Sequence, residues 1–457
     1  MATIFQQGVR QFYKDSVILM AGVTGFLGQT LLEKTIRSLE PRKVYLLIRG
    51  KKNQSAEQRL EKMMNGVIFE KSRNLPVVKT IQPLQADMTR KDLGLELGVR
   101  QKLMEDVNVV FNMAAAVNSN LLLKDSLQHN VENNLNLFNL VDNMKNLKSA
   151  VHTSTMYVDC RYDLMEERII DDVPFGGYDR LKLLMSNLSD AEQKAITPFI
   201  IKDHITTYGL AKKITEVELQ RQFSHKPIGI FRPPFISSVL REPLPGWINN
   251  LYATAGPMAM AALGIFSPWY YNTSKKPMLA PVDYCANALL LSARDIHQNF
   301  FSNKKTIPVY NYATLENAPT YGQMLDNYLE GMGPFKKFLY QHLMSFRTTN
   351  PRHYKVGVEV MRWHASALDR LRLMRGCKPV LRRLVDNVYL AVEKSSYIPM
   401  RDWPIENGNV RWLQQGLSEE EIDMFYCDLS SIDWETYQRK FLSSFKKYAL
   451  QEKIDGI

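Results

Sequence analysis

Val17-Ile18-Leu19-Met20-Ala21-Gly22-Val23-Thr24-Gly25-Phe26-Leu27-Gly28 is the stretch on which the reading of the fold turns. Its first five residues form a continuous apolar run of strand length. Glycines follow at once, and Leu27, Leu31, Thr35 and Leu39 then recur at helical spacing, so strand, tight turn and helix come in order. The turn has the form Gly-x-x-Gly-x-x-Gly. Lacking Cβ atoms, such a backbone turns tightly and lets a pyrophosphate lie against the helix N-terminus. Gly22, Thr24, Gly25, Phe26, Leu27 and Gly28 are therefore candidate cofactor-binding residues.

This spacing resembles the extended short-chain dehydrogenase/reductase group more than the Gly-x-Gly-x-x-Gly of ordinary dehydrogenases. The next apolar run, Lys43 to Ile48, ends at Arg49, with Lys51 and Lys52 beyond it. An acid at that strand end would bind a ribose 2′-hydroxyl, whereas an arginine suits a 2′-phosphate, so NADPH is the expected cofactor. Ile81 to Asp87 reads as a third strand ending in an acid, and in this superfamily such an aspartate often contacts the adenine. Val107 to Phe111 reads as a fourth strand, running into the small residues Ala114, Ala115 and Ala116. Val131 to Met144 reads as a helix opened by Asn130. Ser149 to Thr155 reads as a fifth strand with a polar end. Alternation of this kind predicts an α/β fold, a doubly wound parallel Rossmann sheet.

At 457 residues the chain exceeds one ordinary domain. The expected division is a lead-in at 1–15, an NADP-binding reductase domain with its substrate-binding part at 16–330, and a helical C-terminal domain at 331–457. The four cysteines are scattered and the eight histidines form no metal motif, so no metal is expected and reduced thiols on a cytosolic face are. Met1 to Phe12 lacks the pattern of a signal peptide. The most apolar stretch, Leu251 to Phe266, is too short and too interrupted for a membrane span and reads as a buried helix or tunnel wall. No nucleic-acid partner is expected. The net charge of +11 is concentrated: Lys336 to Arg383 holds twelve Lys and Arg against Glu359 and Asp369. Val356, Val360, Trp363, Ala367, Leu371 and Met374 recur there at helical spacing. A basic amphipathic helix reads as a membrane-surface or partner-binding element, or else as a helix packed on the core by its apolar face.

The chemistry is carried by Tyr208-Gly209-Leu210-Ala211-Lys212. Tyr-x-x-x-Lys puts both side chains on one helix face, one turn apart. A phenol with a pKa near ~10 is a poor acid–base catalyst at neutral pH, and a neighbouring ammonium is expected to lower it. Ser154 or Thr155 at the fifth strand's end would supply a hydroxyl to polarise a carbonyl beside that tyrosine. The separation between Thr155 and Tyr208 is long, and the insert from Val158 to Asp203 reads as a lid or substrate shelf.

These motifs together resemble the fatty acyl-CoA reductases that form primary alcohols. The matching residues are Thr24-Gly25-Phe26-Leu27-Gly28, Leu47-Ile48-Arg49, His152-Thr153-Ser154-Thr155 and Thr207 to Lys212. Arg232-Pro233, Glu242 to Trp247 and Pro281-Val282-Asp283 follow, and the C-terminal part resembles that family's second, "male sterility" domain through Asp402-Trp403, Leu417 to Glu421 and Ser431 to Trp434. Ala21, Gly50, Asn112-Met113 and Pro234-Phe235 depart from the usual pattern without removing a catalytic group. The length and style are most similar to insect members, the shorter pheromone-gland type among them.

The resemblance implies NADPH-dependent reduction of a long-chain fatty acyl-CoA to a fatty alcohol and CoA through an aldehyde, in a pheromone or wax setting. It also implies that Tyr208, Lys212, Thr155 and Ser154 are catalytic, that Lys212 holds the nicotinamide ribose, and that the enzyme is peripheral on the cytosolic face of the endoplasmic reticulum. A thioester reductase that stops at the aldehyde would fit the same residues, and another extended short-chain reductase would fit the first half.

Overall fold

The computed structural model describes residues 7–51, 53–117, 121–201, 206–250, 267–300, 306–330, 334–340, 342, 345–394, 396–445 and 447–448. Within these the chain forms two compact units. The first comprises Met1–Pro234, Val282–Ala313 and Ile405–Asp428; the second comprises Phe235–Pro281, Thr314–Pro404 and Leu429–Ile457.

The first unit is built on a seven-stranded parallel sheet. Its strands are β1 (Val17–Ala21), β2 (Lys43–Ile48), β3 (Ile81–Gln85), β4 (Val109–Asn112), β5 (Ser149–Thr153) and β6 (Ile228–Arg232), closed by a short strand at Val309–Asn311. From one edge the order is the Val309–Asn311 strand, then β6, β5, β4, β1, β2 and β3. The strand order reverses between β1 and β4, which is where a doubly wound sheet binds its ligand. Every residue of β1 is buried, as expected of a central strand covered on both faces. Val17, Leu19 and Ala21 share one core with Leu137 and Phe138 of the helix Asn133–Asp142 and with Leu219 and Phe223 of the helix Thr207–Phe223. Pleat alternation leaves Ile18 and Met20 to the opposite face. The helices Phe26–Ser38 and Val282–Asn299 pack on each other.

The doubly wound parallel sheet expected from the sequence is present. Two of its strands, β6 and Val309–Asn311, carry no clear signal of their own. The last is only three residues long and is recruited 77 positions after β6 ends. The helix expected to open at Asn130 begins earlier. It starts at Leu123, and Asn130 lies in a π turn, Gln128–Glu132, inside it. The insert is a packed element: its helices Tyr178–Ser186 and Asp190–Ile201 bury Tyr178, Leu181, Met185 and Ile200 against Leu123, Leu127, Leu210 and Ile214.

In the second unit, β7 (Phe235–Ser237) pairs in parallel with β9 (Leu279–Pro281), and β8 (Ser267–Tyr270) with a strand at Ser345–Thr348. The helix Tyr321–Glu330 packs on Trp434–Phe445, and Pro351–Met374 packs on Leu381–Lys394. The units are discontinuous in sequence, whereas the expected division has three contiguous parts with boundaries at residues 15 and 330. Strand pairing gives the reason, since Ser267–Tyr270 finds its partner only at Ser345–Thr348. In turn Ile405–Asp428 returns to the first unit: Ile405 bridges to Met165, and Tyr312 donates its hydroxyl to the Cys427 carbonyl at 2.7 Å. Among the described residues no helix is long and apolar enough to cross a membrane. The apolar 251–266 stretch lies outside the described residues.

Candidate active site

The turn after β1 closes directly on backbone. Gly22 has φ +82°, and a Cβ there would stand 2.5 Å from the amide nitrogen of Ala114. A Cβ on Gly28 would stand 2.4 Å from the Gly22 carbonyl oxygen. Neither position has room for a side chain, so the glycines bring β1, the segment after β4 and the helix Phe26–Ser38 together at backbone distance. Gly25 is that helix's N-cap, and no side chain caps it. Its amide end therefore keeps the partial positive charge that attracts a phosphate. Gly25 is exposed and Thr24 and Phe26 are partly so, whereas Leu27 and Gly28 are buried in packing. The cradle fits a dinucleotide pyrophosphate.

At the next strand end Arg49 is exposed. Arg59, a residue with no signal in the sequence, turns its guanidinium back onto the Arg49 carbonyl. Lys51 forms a bridge with Gln54, and Lys52 lies outside the described residues. Asp87 follows β3 and accepts from the Thr89 hydroxyl at 2.8 Å and the Thr89 amide at 3.1 Å. Partial burial pushes its carboxyl up, but Thr89 and the charges of Arg49 and Arg90 outweigh this, leaving the pKa below the ordinary value.

Beneath the cradle runs a buried amide chain. Asn112 at the end of β4 donates to Asn134 Oδ1 at 2.6 Å, lies 3.1 Å from His152 Nδ1, and accepts from the Ala114 amide at 3.2 Å. Asn130 accepts from the Ala116 amide at 2.9 Å and donates back to its carbonyl at 3.2 Å. The Asn130 carbonyl accepts from Thr215 Oγ1 at 2.6 Å, which ties the post-β4 segment to the helix Thr207–Phe223. Burial, then the Lys212 charge, push the His152 pKa well down, so this imidazole is neutral.

The polar end of β5 and the helix Thr207–Phe223 meet here. Thr206 caps that helix through the Gly209 amide at 3.0 Å. Lys212 is buried, and its Nζ donates to the Thr153 carbonyl at 2.6 Å. This bond places the strand end carrying Ser154 and Thr155 beside the Tyr208 helix. Ser154 and Thr155 lie just past β5 and are both buried. Thr155 Oγ1 accepts from the Tyr157 amide at 3.4 Å, while Ser154 Oγ has no hydrogen-bond partner among the described residues.

Tyr208 differs from expectation in one respect: burial raises its phenol above the ordinary pKa. The ammonium expected to lower it is engaged with Thr153, because a buried lysine takes the nearest carbonyl. Burial pushes Lys212 itself down to about 7, with Glu216 opposing the shift.

Behind this helix lies a buried ion cluster that pattern reading missed. The Arg232 guanidinium meets Glu216 Oε2 at 2.5 Å and Asp159 Oδ2 at 3.2 Å, and donates to the carbonyls of Glu166 and Arg168 at 3.1 Å each. Lys213 also binds Asp159, and Asp172 pairs with Arg161. The cluster pins the start of the insert to β6. Only the Arg232-Pro233 motif hinted at it, since the partners lie far apart in sequence.

Residues 20–289 match a family model for an NAD-binding domain, described as male sterility protein, and residues 360–452 match a second model of the same description. The chain belongs to the male sterility protein family. Its male sterility NAD-binding region contains the whole cradle, and its cofactor is a nicotinamide dinucleotide. Two similar proteins are fatty acyl-CoA reductase wat of Drosophila melanogaster and fatty acyl-CoA reductase 1 of Rattus norvegicus. Each is 29% identical, with 98% of this chain and 87% of the relative covered. Among solved structures, the reductase domain of a nonribosomal peptide synthetase from Mycobacterium tuberculosis matches with a TM-score of 0.63 at 15% identity. That match covers 95% of this chain and 92% of the other, and shows a shared fold.

Proposed function

We propose that this male sterility family protein is an alcohol-forming fatty acyl-CoA reductase that uses NADPH. The observation that carries the reading is the Lys212–Thr153 bond, which sets the Ser154 and Thr155 hydroxyls beside the Tyr208 helix at the carboxyl edge of the sheet. The relatives' names support the substrate. Arg49, exposed at the end of β2 with no acid beside it on that strand end, supports the 2′-phosphate form of the cofactor.

The backbone of Gly22, Thr24, Gly25, Phe26 and Gly28 would hold the pyrophosphate, with Leu27 packing behind it. Arg49 would hold the 2′-phosphate, Asp87 would lie by the adenine, and Lys212 would hold the nicotinamide ribose. When bound, the nicotinamide supplies one hydride to the thioester carbon and, after exchange, a second to the aldehyde carbon. Tyr208 and the Ser154 or Thr155 hydroxyl donate hydrogen bonds to the carbonyl oxygen as negative charge grows on it, an interaction strongest in the transition state. Collapse of the tetrahedral adduct releases the CoA thiolate. In the second round Tyr208 gives its proton to the alkoxide. A phenol whose pKa burial holds high stays protonated at neutral pH, as a proton donor must.

The product class in this reading is a pheromone- or wax-type primary alcohol. An amphiphilic substrate supports work at a membrane surface, which in this reading is the cytosolic face of the endoplasmic reticulum. The test is incubation of the purified chain with NADPH and a panel of acyl-CoAs, with aldehyde and alcohol both quantified. Two NADPH consumed per alcohol formed is the expected result. Aldehyde without alcohol would replace the reading by a reductase that stops halfway. No product from any acyl-CoA would overturn it.

A further inference from the structure

The apolar seam on the basic helix faces outward. The helix Pro351–Met374 packs through Tyr354, Gly357, Val358, Met361 and Ala365, all buried. Val356, Val360, Trp363, Leu371 and Met374 lie on other faces and are 66%, 47%, 79%, 49% and 75% exposed. Ala367, between them, is exposed as well. Spacings of three and four residues set the six along one line, so the exposed stripe is about 27 Å long at the helical rise of ~1.5 Å per residue. Scattered exposed apolar residues are ordinary; a continuous stripe of this length is not.

The charge around it is unbalanced. Lys355, Arg370, Arg375 and Arg383 are exposed. Of the two acids in the basic stretch, neither offsets them. Asp369 is buried and spends its carboxylate on the amides of Val380, Leu381 and Arg382, at 2.9, 3.0 and 2.9 Å. Glu359 pairs with Arg362. Lys355 and Arg370 thus share the helix with the apolar ridge, Arg375 caps its C-terminal end and Arg383 stands on the helix Leu381–Lys394 packed against it, and among the described residues no carboxylate pairs with any of the four.

We infer that this face docks on an anionic lipid bilayer, with the helix lying in the membrane plane and Trp363 seated among the headgroups. Charge complementarity selects a bilayer over a second copy of the same face, which would set like charges against each other. An interfacial helix of this kind buries its apolar side at the headgroup boundary while its basic residues meet anionic lipid. The inference rests on the reductase reading for its purpose, since the acyl chain would enter from the same bilayer.

The experiment is co-sedimentation of the full chain with vesicles of phosphatidylcholine alone or containing phosphatidylserine. Binding to the anionic vesicles, weakened by salt, is expected. Combined Val356→Ser, Val360→Ser and Trp363→Ser should lower it at least about tenfold, as should combined Lys355→Gln, Arg370→Gln, Arg375→Gln and Arg383→Gln. Trp363→Phe should keep binding but lose a blue shift of tryptophan emission on vesicle addition. Failure of the unaltered chain to bind anionic vesicles, or binding indifferent to these variants, overturns the proposal. So does a dimer in solution that Trp363→Ser dissociates, or retained vesicle binding with a raised KM for detergent-dispersed acyl-CoA in the charge variant. Alcohol formation in detergent by the unaltered chain is scored separately, so loss of the reductase reading is distinguishable from loss of this one.

Discussion

Tyr208 and Lys212 stand one turn apart on one helix, but among the described residues no hydrogen bond joins them. The lysine is bonded to the end of β5 and the phenol keeps its proton. The tyrosine is therefore read as a donor. Tyr208→Phe should fold as the unaltered chain does and lower the rate of alcohol formation by about 10²–10⁴-fold, the usual range for general acid catalysis. Turnover close to the original would remove Tyr208 from the mechanism. The proposed preference for NADPH rests on Arg49 in the same way. Arg49→Asp should weaken NADPH binding far more than NADH binding, because a 2′-phosphate would meet a carboxylate in place of a charged donor. Titration of both dinucleotides by fluorescence checks it, and equal losses for the two would exclude Arg49 from the site.

At the scale of elements, the site depends on how β6, the helix Thr207–Phe223 and the insert are joined. Arg232 joins them, through Glu216 on the helix, Asp159 in the insert, and the carbonyls of Glu166 and Arg168. All three charged groups are almost wholly buried. Arg232→Met would leave the Glu216 carboxylate buried without its partner, at a cost of about 3–5 kcal/mol. Urea unfolding should show a loss of that order. Combined Arg232→Met and Glu216→Met should regain part of it, because the stranded charge is then gone. Additive losses in the double variant would mean that the pair does not couple.

Across the whole molecule, Lys212, which the proposed mechanism sets at the nicotinamide ribose, also bears on stability. Burial holds its folded pKa at about 7 against an ordinary 10.5. Between those values the unfolded chain binds more protons than the folded one, so stability rises with pH across that window. Below about 7 the lysine is charged in both states and the full cost of burying the charge is present. Lys212→Met removes that cost. It should abolish activity yet raise the melting temperature at pH 6.5 by about 2–4 °C, with the gain shrinking toward pH 9.5. A gain that does not change with pH would show that the lysine is not the source.

The glycine cradle and the helix that carries Tyr208 and Lys212 are legible in the sequence alone. Both are local objects: a strand, a glycine turn and a helix lie within residues 17–38, and Tyr208 and Lys212 within one turn, so short-range sterics and periodicity reveal them. The family resemblance was likewise legible in contiguous motifs. The remaining features depend on contacts between residues far apart in the chain. Nothing near Asp159 announces Arg232, nothing near β6 announces the three-residue strand at Val309–Asn311, and the pairing of Ser267–Tyr270 with Ser345–Thr348 crosses the expected domain boundary. The helix Pro351–Met374 is the sharpest case. Periodicity finds the line from Val356 to Met374 but cannot say which side of the helix is covered. The packing residues include Gly357 and Ala365, small enough for close approach, so the helix turns that face inward and leaves the bulkier line exposed. Periodicity measures the amphipathicity of a helix, and only its neighbours determine which face is buried.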